Sequence, residues 1–284
     1  MYDILRSLSM KRIKTLSIQD LANTEGCQDE LFKYVDSQDI FDARTKEFGI
    51  SYSSYITVQN ILSVLFEYFF NEDRFDSAFI DILDNAHDVY MPDGPPMSPL
   101  TKTYFSYWSF VDARYKRGKT FAEYILKNIK ALQFPKDWIQ PLENLSASRM
   151  GIYEHLGFTE DKKIILRELV TENEICTINA ADYRGKRGDL CLVRVVLPLA
   201  SDDTNVIVTT PYILCGHSKQ NWIDYFKRQG IHNGDAEMMN KFMKNWPSNY
   251  YWHEFIFQAY IGYESSHIYL KGIPDIRGTK PHEM

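Results

Sequence analysis

Three histidines and one glutamate carry the strongest acid-base chemistry open to this chain: His155, His217, His253 and Glu254. Imidazole beside carboxylate serves both divalent-metal hydrolysis and general acid-base catalysis, because the ring titrates near neutrality and an acid can orient its second nitrogen. His155 and His217 flank a β-patterned stretch, and His253-Glu254 falls on an aromatic C-terminal segment with helical spacing. No pair has the HExxH spacing that sets two ligands on one helix face. The four are therefore catalytic candidates only if tertiary structure brings them together. The alternative is a set of ordinary hydrogen-bonded rings at strand ends and beside a core. The identity of any metal is left open.

Two further motifs are weaker. Ala113-Arg114-Tyr115-Lys116-Arg117-Gly118-Lys119-Thr120 fits a permissive phosphate-loop pattern in which Ala replaces the first Gly. Bulky side chains fill the turn whose amides would have to converge on phosphate, and Tyr104 to Val111 before it has helical spacing where a strand is needed. It reads as a basic turn between helices. His87-Asp88 resembles the metal-binding pair of HD-type phosphohydrolases, but His87 is the first histidine of the chain, so the upstream ligand is missing. Asp76, Asp81, Asp84 and Asp88 read instead as a solvated acidic helix face.

A third set is basic. Lys162, Lys163, Arg167, Arg184, Lys186, Arg187 and Arg194 lie along the β stretch, with Tyr183 among them. Arg167, Tyr183, Arg184, Lys186 and Arg187 are the binding candidates of a barrel that would hold single-stranded nucleic acid by pairing phosphates and stacking bases. The interleaved Glu160, Asp161, Glu168, Glu172, Glu174, Asp182 and Asp189 nearly cancel the positive charge. That weakens the nucleic-acid reading.

The elements that must position these residues follow from periodicity. Residues 163–216 predict four short strands separated by polar turns, with apolar runs at Ile164 to Val170, Ile175 to Ile178, Leu190 to Leu197 and Val206 to Leu214. Pro198 stops the third, and Gly185 and Gly188 supply positive φ to the loop before it. Gly151 to Phe158 is also expected to enter the sheet, with Gly157 as a bend. Helical spacing recurs around this centre, in Val58, Ile61, Leu62, Leu65 and Phe69, in Phe75, Phe79, Ile82 and Leu83, and in Tyr104, Phe105, Trp108 and Val111. After residue 216 it resumes around Trp222 to Phe226, Met238 to Trp246 and Trp252 to Tyr260, and Ile268-Tyr269-Leu270 predicts a terminal strand. The fold class is α+β, with a helical N-terminal part, a central antiparallel β barrel or curled sheet, and a helical C-terminal cover. The proline-rich stretch 92–99 predicts a boundary between a helical domain, 1–91, and a second domain, 100–284, that holds the barrel.

Within the β stretch, Leu166-Arg167-Glu168-Leu169-Val170-Thr171, then Gly188-Asp189-Leu190, then Arg194 and Pro198 form a spaced set. It resembles a β module of uncharacterised bacterial proteins, some of which carry a Cys-rich SEC-C zinc tail. The resemblance covers roughly a fifth of the chain, lacks the clustered cysteines, and implies no activity.

Composition excludes more than it assigns. The 284 residues include 32 basic and 38 acidic side chains, a net charge of −6 that disfavours a broad nucleic-acid footprint. Four scattered cysteines without a CxxC pair, and no secretory signal at Met1 to Ile4, predict reduced thiols in a cytoplasmic protein. No apolar run is long enough to cross a membrane. The expectation is a non-enzymatic binding or adaptor protein acting through protein-protein contacts, since recognisable chemistry is absent and aromatic content is high. It calls for no cofactor and is compatible with an oligomer. The alternatives are a metal-dependent hydrolase or nuclease built on His155, His217, His253 and Glu254, and a nucleic-acid-binding barrel.

Overall fold

The computed structural model describes residues 38–71, 75–90, 102–114, 118–130, 132, 134–181, 183–199, 202–215, 218–245, 258–262 and 267–271. The chain divides into two compact units, 1–83 with 106–147, and 84–105 with 148–284. The first unit thus draws helices from both sides of residues 92–99.

The first unit is helical. Helix α1 (Gln38–Phe48) leads into α2 (Ile50–Asn71), whose Tyr55, Val58, Ile61, Leu62, Leu65 and Phe69 are buried at the 3.6-residue spacing read from the sequence. Helices α3 (Ser77–Tyr90) and α4 (Lys102–Val111) follow, of which 77–83 and 106–111 belong to this unit. After them come α5 (Phe121–Lys127), a short 3-10 turn (Lys136–Trp138) and α6 (Ile139–Ala147). Edge-to-face and tilted rings hold the centre: Phe66 lies 4.7 Å from Phe75, 5.2 Å from Phe110 and 5.1 Å from Phe121. Polar tips are satisfied across it, as in Asn144 Nδ2 donating to Tyr55 Oη at 2.8 Å.

The second unit is built on strands β1 (Arg149–Phe158), β2 (Ile164–Glu168), β3 (Glu174–Ile178), β4 (Leu190–Val196), β5 (Asn205–Ile207) and β6 (Tyr212–Cys215). The first five close on themselves in the order β1-β2-β3-β5-β4-β1. Long β1 makes closure work: its first half pairs with β4 and its second half with β2, either side of a register shift between His155 and Gly157. The fold is α+β with a barrel at its centre, as expected. The barrel is mixed where an antiparallel one was predicted, because β3 and β5 run parallel, with Thr177 opposite Asn205. It also begins at Arg149, ahead of the predicted 163, since β1 is the strand that seals it.

From β4 the sheet continues outward through β6, then β8 (His267–Lys271), then β7 (Gln258–Gly262). The helical spacing that predicted a helix through Ala259 and Tyr260 gives a strand there, since a short apolar run fits either period and the pairing with β8 decides it. Helices α7 (Lys219–Arg228) and α8 (Ala236–Asn245) supply the C-terminal helical cover, and α8 packs on β1. Tyr225 and Phe226 of α7 meet Phe242 of α8 at 6.3 and 6.0 Å. Lys244 Nζ then donates to the Ser148 carbonyl at 2.9 Å, tying the end of α8 to the start of β1.

Candidate functional site

The barrel interior is apolar in the middle and polar at two points. Tyr153, Ile164, Leu166, Cys191, Val193 and Ile207 fill the centre. Beside them Glu168, 4% exposed, accepts a bidentate pair from Arg149 at 2.5 and 3.0 Å and a third bond from Thr171 Oγ1. The other polar point is the β3–β4 loop, which folds Tyr183 inward to 2% exposure with its hydroxyl 3.1 Å from Cys191 Sγ. Burial pushes the Cys191 thiol up to about 12, although the Tyr183 hydrogen bond pulls the other way, so this thiol is inert at neutral pH. Gly188 in the same loop has φ +93°, the left-handed turn expected of it, whereas Gly185, of which the same was expected, has no positive φ.

His155 is enclosed with Tyr183. It is 1% exposed, and its ring meets Phe158 edge-on at 4.6 Å and Tyr183 at 5.3 Å. Its Nδ1 lies 3.0 Å from the Lys186 carbonyl oxygen, an acceptor, so Nδ1 carries a proton, and Nε2 is buried with no hydrogen-bond partner among the described residues. His217, His253 and Glu254 lie outside the described residues, and no group of three His, Cys, Asp or Glu able to hold a metal occurs among the described ones.

The basic candidates separate in the same way. Tyr183 is inside the barrel and offers no face to a nucleobase, whereas Arg184, Lys186 and Arg187 are exposed on the loop. Arg167 sits on the outer face of β2, where its Nη2 donates to Glu154 Oε2 at 2.7 Å. Of the phosphate-loop residues, Thr120 is committed to a capping box with Glu123 at the start of α5, and the element before the loop is helix α4. His87 and Asp88 fall in α3, and their side chains lie outside what is described.

Among the described residues, the outer face of β2 and β3 is only half buried. Strand alternation puts Ile165 and Arg167 outward from β2, and Glu174, Cys176 and Ile178 outward from β3; among these only Glu174 is fully exposed and the rest are half-buried. The register aligns them into rows. One row is ionic, Glu154–Arg167–Glu174; the next is small and apolar, Gly157–Ile165–Cys176. Glu154 is the hub of the ionic row, since its Oε2 also accepts from Lys219 Nζ of α7 at 2.6 Å. Burial alone would push its carboxyl up, but the hydrogen bonds from Arg167 and Lys219 outweigh that and hold it below the usual carboxylate range. Lys163 Nζ joins the loops at one end of this face, donating to Thr204 Oγ1 at 2.9 Å with Asp161 at 3.7 Å. Cys176 on the apolar row is no thiolate nucleophile, because burial raises its pKa.

No protein-family model, curated protein or solved structure matches this chain. Function therefore rests on the site itself.

Sequence reasoning did not single out Glu154, Ile165 or Lys219 as part of an outer face. A signal for Ile165 was present: the alternation of β2 places it opposite the core residues Ile164 and Leu166, and an apolar residue on the outward side of a strand needs a cover. Nothing local pairs Lys219 with Glu154, since they are 65 residues apart.

Proposed function

We propose that this chain is a non-enzymatic binding protein whose β2–β3 face receives a segment of a partner protein. The observation that supports the reading is the half-open apolar row of Ile165 and Cys176, continued by Ile178, on a barrel whose β1–β4 side is closed over. The strand order is that of the OB barrel, in which strands 2 and 3 and the loops 1–2 and 4–5 hold oligonucleotides or oligosaccharides. That topology favours the same face but leaves the ligand chemistry open, and here the chemistry departs from a nucleic-acid platform. Arg167 and Lys219 are both spent on Glu154, Tyr183 is buried, and among the described residues the two outer rows carry no aromatic ring, exposed Phe158 at the end of β1 lying opposite Ile164 and outside them.

Two measurements on the full chain test the reading. Fluorescence anisotropy with labelled uridine and thymidine oligomers, at about 0.1 M salt where phosphate contacts still act, is expected to show no binding. Peptides selected from a random display library are expected to lose the chain when Ile165→Glu is introduced. Oligomer binding, together with peptide selection indifferent to Ile165→Glu, would replace the protein-binding reading with the nucleic-acid one.

A further inference from the structure

The β3–β4 loop is fastened to β1 at His155. The His155 amide donates to the Asp189 carbonyl at 2.8 Å, its carbonyl accepts from Gly188 N at 2.8 Å, and its Nδ1 donates to the Lys186 carbonyl at 3.0 Å. Tyr183 turns under the same loop, where its ring meets His155, its hydroxyl reaches Cys191, and a Cβ on Gly185 would collide with it. Asn179 fixes that turn, accepting from Tyr183 N at 2.7 Å and donating to the Tyr183 carbonyl at 2.9 Å.

The fastening has a chemical condition. With one proton, on Nδ1, the His155 ring meets the Lys186 carbonyl and leaves Nε2 enclosed without a partner among the described residues. A second proton would place an N–H donor and a positive charge in that enclosure, at the cost of a buried donor and charge left unsatisfied. Leu166 stands opposite on β2, Phe158 lies edge-on from β1, and Tyr183 and Cys191 close the inner side with a hydrogen bond to each other. Among the described residues no carboxylate hydrogen-bonds the ring. The Asp189 carboxylate accepts from Lys186 N at 2.6 Å, and Arg184, Lys186 and Arg187 are exposed on the loop. Outward from β1 and β2, Glu154 is held by Arg167 and Lys219, and Asp182 lies outside the described residues.

We propose that the β3–β4 loop is an acid-sensitive latch, which closes over the barrel on neutral His155 and opens when the ring takes a second proton. What it controls is access to Tyr183 and Cys191. The closed loop accommodates one ring proton, whereas the open loop takes two once pH falls below the range in which imidazole ordinarily titrates, about 6.5. Closure is therefore complete above that range and weakens as pH falls through it, by up to about tenfold in the open population per pH unit for one added proton.

Amide hydrogen exchange on the full chain tests the latch, resolved by residue, with each rate divided by that of the unstructured chain at the same pH. Between about pH 7.5 and about pH 5, protection of the His155 and Gly188 amides is expected to fall about tenfold or more. Leu169 N, which donates to the Ile152 carbonyl of the same strand at 2.9 Å, is expected to keep its protection. Unchanged or rising protection at His155 and Gly188 would overturn the latch, and so would an equal fall at Leu169, since the whole barrel would then be opening. His155→Asn keeps an amide donor near the place of Nδ1 but cannot take the second proton, and is expected to flatten the pH profile. An acid response that survived in it would overturn the assignment. Asp189→Asn keeps an acceptor for Lys186 N and removes the loop's titrating carboxylate, so it is expected to retain the fall. That variant keeps the test decisive where His155→Asn does not fold, because a flat profile in Asp189→Asn would take the proton away from His155.

Discussion

The two outer faces of the barrel are made from the same kinds of residue and meet different surroundings. On the β1–β4 side Leu192 is fully buried and Arg194 is 1% exposed, with its guanidinium donating to the Ser148 carbonyl at 2.8 Å and hydroxyl at 3.2 Å. On the β2–β3 side Ile165, Arg167 and Cys176 stay half open to water. Each side presents an apolar row with a basic residue on the same strand two positions on. What differs is the neighbour. Helix α8 lies against β1, and β6 extends the sheet from β4, whereas β2 and β3 border only one another and their barrel partners within the described sheet. An apolar outer row thus stabilises the fold where an element covers it, and stays half open to water where none does among the described residues.

The ion pairs repeat the contrast and give the largest expected effect. Glu168→Ala would strand Arg149 beside the core and is expected to cost about 3 kcal/mol or more, read as a drop in the urea midpoint. The open-face counterpart Glu154→Ala, whose partners reach water, should cost about 1 kcal/mol or less. Comparable losses from the two would erase the distinction between closed and open sides.

Leu192→Ala comes next, at about 3 kcal/mol for a cavity in a closed layer, against about 1 kcal/mol or less for Ile165→Ala, which already touches solvent. Thermal melts of the pair would show it, and an Ile165→Ala variant as unstable as Leu192→Ala would mean that the β2–β3 face is covered in solution.

A smaller effect is visible only as pH changes. The Glu154 carboxyl is depressed in the fold, so its contribution is present above the unfolded pKa of about 4.5 and is lost as pH falls through the lower folded value. The stability gap between wild type and Glu154→Gln is therefore expected to hold at pH 7 and to shrink as pH falls below 4.5 through the depressed folded value. A gap that widened on acidification would reverse the assigned sign.

The least perturbing comparison labels the two thiols. Cys191 should resist maleimide in the folded state and react only on unfolding, while half-buried Cys176 should label slowly at pH 7 and faster as pH rises toward its elevated pKa. Peptide mapping of the labelled sites checks both. Rapid labelling of Cys191 would show that the β3–β4 loop opens.

By itself the sequence determined the local periods. The 3.6-residue stripe of Val58, Ile61, Leu62, Leu65 and Phe69, the apolar runs that form β2 and β4, and the left-handed turn at Gly188 depend on interactions within a few residues, which is why they could be read directly. The α+β class follows from the order of those periods. Tertiary structure alone decided which side of the barrel is closed, because Ile165 and Leu192 are equivalent as outward apolar residues until the rest of the fold buries one of them. It also decided that Tyr183, a tyrosine in a polar loop, would turn inward onto His155 and Cys191, and that β5 would return beside β3 in parallel. These outcomes rest on contacts between residues far apart in the chain, whose energies depend on which surfaces are brought together in space and leave no trace in the local pattern.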